Sequence, residues 1–176
     1  SGLQAALATM LVTMYLLPQY NLVLKPTLLA LKPGTRIVSH DYGIDDWEPD
    51  AQEKIAVPEK KVGVEKASWI YYWVVPARVQ GRWRARIPTA RGATELELNL
   101  TQRYQKFAGT AKIGARTVAI ERPYLKANYL SFRLADGKQT LRFQGHISDG
   151  QLTGQLLRPG NKAYPWRALR LDPPKA

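Results

Sequence analysis

The stretch LATMLVTMYLL, residues 7–17, decides how this sequence is read. It is almost unbroken in apolar character and ends at Pro18. A run of that kind, closed by a proline, has the pattern of a strand buried on both faces, as in a parallel sheet. A buried helix is the competing reading, because Leu, Met and Ala are not strong β-formers. The strand is expected over the second half of the run. A membrane-spanning helix is not expected: Pro18, Gln19, Asn21, Lys25 and Pro26 interrupt the wider apolar region 11–31, and such a helix needs about 18 or more apolar residues in a row.

Outward from this run, PQYNLVLKPTLLALKPG (18–34) carries a leucine stripe at helical spacing, with Leu22, Leu24, Leu28, Leu29 and Leu31. Pro26 is expected in the first turn of a short helix, and Lys32-Pro33-Gly34 stops it. TRIVSH (35–40) then reads as a strand. Strand, helix and strand with short links make a βαβ unit with a right-handed crossover. KIAV (54–57) and SWIYYWVVPA (68–77) are two further strands, and the connector EKKVGVEK with Gly63 can close them as a hairpin.

From Arg78 onward the pattern changes to period two. GRWRARI, TELELNL, YQKFAGTAKI, RTVAIE, NYLSFRLA, QTLRFQGHI, GQLTGQLL and WRALRL alternate apolar and polar residues. Asp136-Gly137 and Asp149-Gly150 are hairpin turns. Eight short strands at regular spacing predict an antiparallel meander, closed as a barrel or folded as a sandwich. The expected fold is thus α/β plus all-β, with one domain over 1–77 and an antiparallel β-barrel over 78–176.

Charge divides at the same place. Residues 1–77 hold seven Lys/Arg and eight Asp/Glu, whereas the remainder holds 19 and six. The second part therefore attracts anions, through Arg82, Arg84, Arg86, Arg91, Arg122, Arg133, Arg142 and Arg167 among others. No nucleic-acid-binding motif accompanies this charge, so specific nucleic-acid binding is not expected. The chain has no cysteine and only two histidines, His40 and His146. That removes disulfides, thiolate metal sites and a cysteine nucleophile, and no metal site is expected.

The string YLLPQYNLVLKPTLLALKPGTRIVSHDYGIDDWEPD (15–50) resembles bacterial class I S-adenosylmethionine-dependent methyltransferases. The likeness runs over about residues 7–77. It implies a Rossmann-like sheet of seven strands, with Tyr15-Leu16-Leu17-Pro18 ending the fourth, Ile37-Val38-Ser39-His40 forming the fifth, and WIYYWVVPA as the last, paired with KIAV. The resemblance puts Tyr15, Leu16, Leu17 and Pro18 beside the methyl donor, S-adenosylmethionine. Ligands of open α/β sheets bind outside the carboxyl ends of the strands, where Tyr15 and Asn21 could orient an acceptor nitrogen. The alternatives are that Tyr15 packs and Asn21 caps the helix.

His40 ends the next strand at the same edge. Imidazole as a class titrates near neutrality, so a histidine there could take a proton from a substrate. The catalytic candidates are therefore Tyr15, Asn21 and His40. Asp41 and Trp47, the latter in the acidic loop IDDWEPD, are candidates for substrate contact. Asp41 is not expected to form a direct dyad with His40, because neighbours on a strand point to opposite faces. Trp47 would cover the site or fill the sheet edge.

The family grips its cofactor with a glycine-rich loop after the first strand and an acidic residue after the second. Only fourteen residues precede Tyr15, too few for three strands and two crossovers. The expectation is a chain lacking the cofactor-binding half and inactive alone, with the missing half or another chain completing the sheet. The compartment, bacterial cytoplasm or periplasm, is left open. The alternative is a non-enzymatic β-barrel that binds partners through its basic surface. Gly81-Arg82-Trp83 near its start and an arginine near its end resemble the lipocalin barrel closure, in which the arginine packs over the indole.

Overall fold

The computed structural model describes residues 10–172, apart from 62, 64, 90, 91 and 161. Leu7–Thr9 of the apolar run and Arg91 lie outside the described residues. The chain divides into two compact units, Ser1–Val75 and Pro76–Ala176. Among the described residues no helix is long and apolar enough to cross a membrane.

The first unit opens with β1 (Leu11–Met14), α1 (Pro18–Leu29) and β2 (Arg36–His40). β1 and β2 pair in parallel, Leu11 opposite Arg36 and Met14 opposite Ser39. The middle of the apolar run, Leu11–Met14, is thus a strand; Tyr15, Leu16 and Leu17, expected to end it, lie beyond it, and Leu17 already caps α1. β3 (Ala51–Ala56) and β4 (Ala67–Val74) form the antiparallel hairpin. β4 lies between β2 and β3, giving the order β1-β2-β4-β3, and it runs antiparallel to β2. Ile37 and Trp73 face each other across that pairing, both fully buried.

The helix departs from expectation at its start. Pro18, not Pro26, occupies the first turn, and Pro26 lies inside the helix. The chain turns directly from β1 into α1, so the earlier proline meets the first-turn requirement of a fixed φ and no amide donor. Pro26 then deprives the Leu22 carbonyl of its helical donor, which α1 tolerates because Leu22 lies on the exposed side. Asn21, Leu24 and Leu28 form the inner stripe; Leu22, expected there, does not join it.

The second unit is a nine-stranded antiparallel sheet, curled into a nearly closed barrel, with order β8-β7-β6-β5-β13-β12-β11-β10-β9. Its strands are β5 (Gly81–Thr89), β6 (Gly92–Arg103), β7 (Lys106–Ile113), β8 (Arg116–Ala119), β9 (Glu121–Lys126), β10 (Tyr129–Asp136), β11 (Gln139–Ser148), β12 (Gln151–Arg158) and β13 (Lys162–Arg170). Eight were expected. The extra one is β9, which breaks away from β8 at Ile120 and contains Pro123, a residue that marks sheet edges.

Period-two alternation builds the barrel core. Trp83, Ala85 and Ile87 point inward from β5, and Leu96, Leu98 and Leu100 from β6. Phe132 and Phe143 stack at 4.9 Å between ring centroids. Trp166 meets both rings edge-on, a geometry favoured by the aromatic quadrupole.

Candidate functional site

The carboxyl ends of β1 and β2 lie side by side because the two strands are parallel and in register. Tyr15 and His40, each one residue past the Met14–Ser39 pair, therefore meet. Their ring centroids are 4.8 Å apart and tilted by 53°. Tyr15 is 74% exposed, so its ring covers the imidazole from the solvent side. Leu16, Leu17, Tyr20, Leu22 and Val23 continue an exposed apolar surface from the end of β1 onto α1. Pro18 joins that surface as the first residue of the helix.

The loop that follows β2 is tied down from three sides. From α1, Asn21 Nδ2 donates to the Gly43 carbonyl at 2.9 Å, and Lys25 Nζ bonds Asp45 and Asp46, the latter at 2.7 Å. Asn21 and Lys25 are four apart and so share a helix face. From β2, Ser39 Oγ donates to the Tyr42 carbonyl at 2.7 Å. From β4, the Trp73 indole donates to the Trp47 carbonyl at 3.0 Å, and the Val74 amide donates to Asp50 Oδ2 at 2.7 Å.

Asp41 occupies the left-handed region, with φ 61°. The strand geometry ends at His40, so the alternation that would separate their side chains no longer holds. Asp41 Oδ2 comes within 3.5 Å of His40 Nδ1, but that oxygen already accepts a hydrogen bond from Lys60 at 2.8 Å. Its other oxygen accepts from the Trp69 amide at 2.9 Å. The Lys60 bond chiefly, with the Trp69 amide and the charges of His40 and Lys60 assisting against desolvation, holds the Asp41 carboxyl below its ordinary value. Asp41 is thus engaged in closing the loop.

Trp47 is buried and packs against Trp73, 6.1 Å between centroids. It fills the interior beneath the loop. Two polar atoms at the site are buried with no hydrogen-bond partner among the described residues: Asn21 Oδ1 and His40 Nδ1. Buried polar groups are nearly always paired, so these two are exceptions, although His40 Nδ1 faces Asp41 Oδ2 at 3.5 Å. Asn21 sits within α1 and its side chain reaches the loop, so it does not cap the helix.

A protein-lysine N-methyltransferase of Saccharolobus islandicus (strain REY15A) is 51% identical to this chain over 45 residues. Over that stretch the chain is similar to a methyltransferase. The matched stretch is 25% of the chain and 28% of the curated relative's length. A crystal structure of an RNA methyltransferase from Salinibacter ruber in complex with S-adenosyl-L-homocysteine aligns at 37% identity with a TM-score of 0.31, covering 40% of each chain. No protein-family model matches the sequence.

The structure brings Tyr15 and His40 together and sets Asn21 behind the loop they border. It engages Asp41 with Lys60 and buries Trp47. Sequence reasoning missed Lys25 and Lys60, which secure the loop. Lys25 carried a readable signal: it follows Asn21 by one helical turn, and the acidic pair Asp45-Asp46 lay ahead. Lys60 carried none, because its partner is 19 residues away across a hairpin.

Proposed function

We propose that this chain is the C-terminal part of an S-adenosylmethionine-dependent methyltransferase. Its first part, 1–77, supplies the second half of a Rossmann-like sheet, and 78–176 form an appended β-barrel. The observation that carries the reading is the parallel β1–α1–β2 crossover, with Tyr15, His40 and the half-satisfied Asn21 at its carboxyl edge. The 45-residue likeness to a lysine methyltransferase supports it. The β3–β4 hairpin following β2 is the ending that such a sheet requires.

The described residues fit one wall of a cofactor site. Tyr15, Leu16, Leu17 and Pro18 offer largely apolar contact past the strand end. The glycine-rich loop and the ribose-binding carboxylate would come from strands paired to the outer edge of β1. When bound, S-adenosylmethionine supplies a methyl group on a sulfonium centre, open to in-line attack. Tyr15 and Asn21 orient the attacking atom, and alignment accounts for most of the rate. His40 holds the departing proton as a lesser contribution.

In the barrel, Gly81-x-Trp83 with Arg170 over the indole at 4.2 Å supports a lipocalin-like closure. Titrating S-adenosylhomocysteine calorimetrically into this chain and into the polypeptide its gene encodes tests the enzyme reading. Binding is expected in the longer polypeptide and weak or none in this chain. A gene whose start codon immediately precedes Ser1, with no binding by its product, overturns it in favour of a non-enzymatic barrel that binds through its basic surface.

A further inference from the structure

Three arginines converge on the outer face of β9, β10 and β11. Arg133 and Arg142 stand directly opposite each other in the β10–β11 ladder. Like charges in that position oppose strand pairing. Arg122 joins them from β9, where the register with β10 slips between Ser131 and Arg133. Arg122 has φ 46°, a left-handed conformation. Slipped registers re-aim side chains and gather near functional sites, as does backbone held in sparsely populated regions.

Elsewhere on the same barrel carboxylates neutralise three arginines, though Arg86 and Arg167 also have no ion pair among the described residues. Arg82 pairs with Asp172, Arg84 with Glu95 and Glu97, and Arg116 with Asp136. Among the described residues no ion pair reaches Arg122, Arg133 or Arg142. Glu121, in register with Arg133, makes none with it. The three border a depression of about 270 Å³ that Tyr129, Ser131 and Gln144 also line.

Aromatic rings adjoin the charge. Tyr129 meets His146 edge-on at 5.3 Å and Tyr124 at 6.2 Å. Tyr124 is half exposed. Phosphate-seeking arginines beside accessible rings are the two components of single-strand recognition: charge tracks the backbone, and π-faces stack bases. We propose that this face binds single-stranded nucleic acid, with phosphates on Arg122, Arg133 and Arg142 and a base against Tyr124, Tyr129 and His146. The sequence shows no motif for this, since the three arginines come from three strands. The site lies wholly within the second unit, and neither outcome below bears on methyl transfer.

Fluorescence anisotropy with a short labelled oligouridylate tests it on the whole chain. The double variant Arg133→Gln/Arg142→Gln is expected to weaken binding at least about tenfold. It should also flatten the plot of log affinity against log salt by about 1.4, or about 0.7 per lost phosphate contact. Tyr129→Leu should weaken binding without changing that slope. Thermal melting should find the double variant as stable as the parent or more so, because it removes opposed charges. Absence of binding, or unchanged binding by the double variant, overturns the proposal. Inorganic polyphosphate displacing the probe as well as unlabelled oligonucleotide does, while Tyr129→Leu has no effect, would reduce the face to a general polyanion surface and overturn it too.

Discussion

Arg170 lies over the indole of Trp83, its guanidinium carbon 4.2 Å from the ring centroid. Gly81 leaves the space: φ there is 119°, and a Cβ would come within 3.2 Å of Arg170 Nη1. The guanidinium also donates to the carbonyls of Gln80 and Arg78. The indole beneath donates to Val79 at 2.8 Å. Burial pulls the Arg170 guanidinium below its ordinary value, and Asp172 opposes that pull. One side chain therefore joins the beginning of β5 to the end of β13. Arg170→Met is expected to destabilise the barrel by about 2–3 kcal/mol, from the lost cation–π contact and charged hydrogen bonds. Arg170→Lys should recover less than half, because it lacks the planar fork. Urea midpoints measure both; an unchanged midpoint for Arg170→Met would refute the closure role.

Asp41 gives the first unit a pH dependence. Its carboxyl is held below the value of an unfolded aspartate, mainly by Lys60, so the ionised form favours the folded state. That stabilisation is complete above about pH 4 and disappears as pH falls through the lowered value. Asp41→Asn should cost about 1–3 kcal/mol at neutral pH. It should cost progressively less in acid, where the parent loses the same interaction. Equilibrium unfolding from neutral pH to below pH 4 checks this, and a pH-independent difference would contradict it.

Gly154 opposes Gly145 on one side and Trp166 on the other. The Trp166 indole reaches across β12 to donate to the Gln144 carbonyl of β11 at 3.0 Å. A Cβ on Gly154 would lie 2.0 Å from that same carbonyl oxygen and 2.4 Å from the Gly145 Cα. Gly154→Ala is expected to destabilise by about 3 kcal/mol, the upper end of overpacking effects, and to blue-shift or broaden tryptophan fluorescence. A stable variant with parental emission would mean the strands can separate freely.

Asn21 makes one hydrogen bond, to Gly43, and leaves Oδ1 unmet. Asn21→Leu loses the bond and removes the unmet acceptor, so stability should change by no more than about 1 kcal/mol. If Asn21 orients the attacking atom, methyl transfer by an S-adenosylmethionine-binding form of the protein should slow about tenfold, the weight of one bond of about 1.4 kcal/mol, with S-adenosylhomocysteine binding little changed. A variant that unfolds would show that Asn21 serves the loop alone.

Much of the fold was legible because burial leaves a periodic trace. Trp83, Ala85 and Ile87 alternate with Arg82, Arg84 and Arg86, and the period reveals the strand before any partner is known. β9 was not legible, because Arg122 in a left-handed conformation and Pro123 erase the alternation. The site was half legible. Parallel pairing alone brings Tyr15 to His40, so their strand-end positions were informative. The engagement of Asp41 depends on one left-handed residue and a lysine from a distant hairpin. The exposed arginines gave an accurate count of charge but not its grouping, which depends on a register slip.

The sheet order of the barrel has a consequence for connectivity. β8 and β9 are its two outermost strands, yet they are consecutive in the chain and separated by Ile120. β5 and β13, first and last in the chain, are ladder neighbours, with Trp83 opposite Arg170. A circular permutant of this unit that links Asp172 to Pro76 and opens at Ile120 would keep every strand pairing of the unit. The covalent order of this barrel is thus interchangeable with one whose termini lie at its open seam, where a fused partner could be attached without disturbing the ladder.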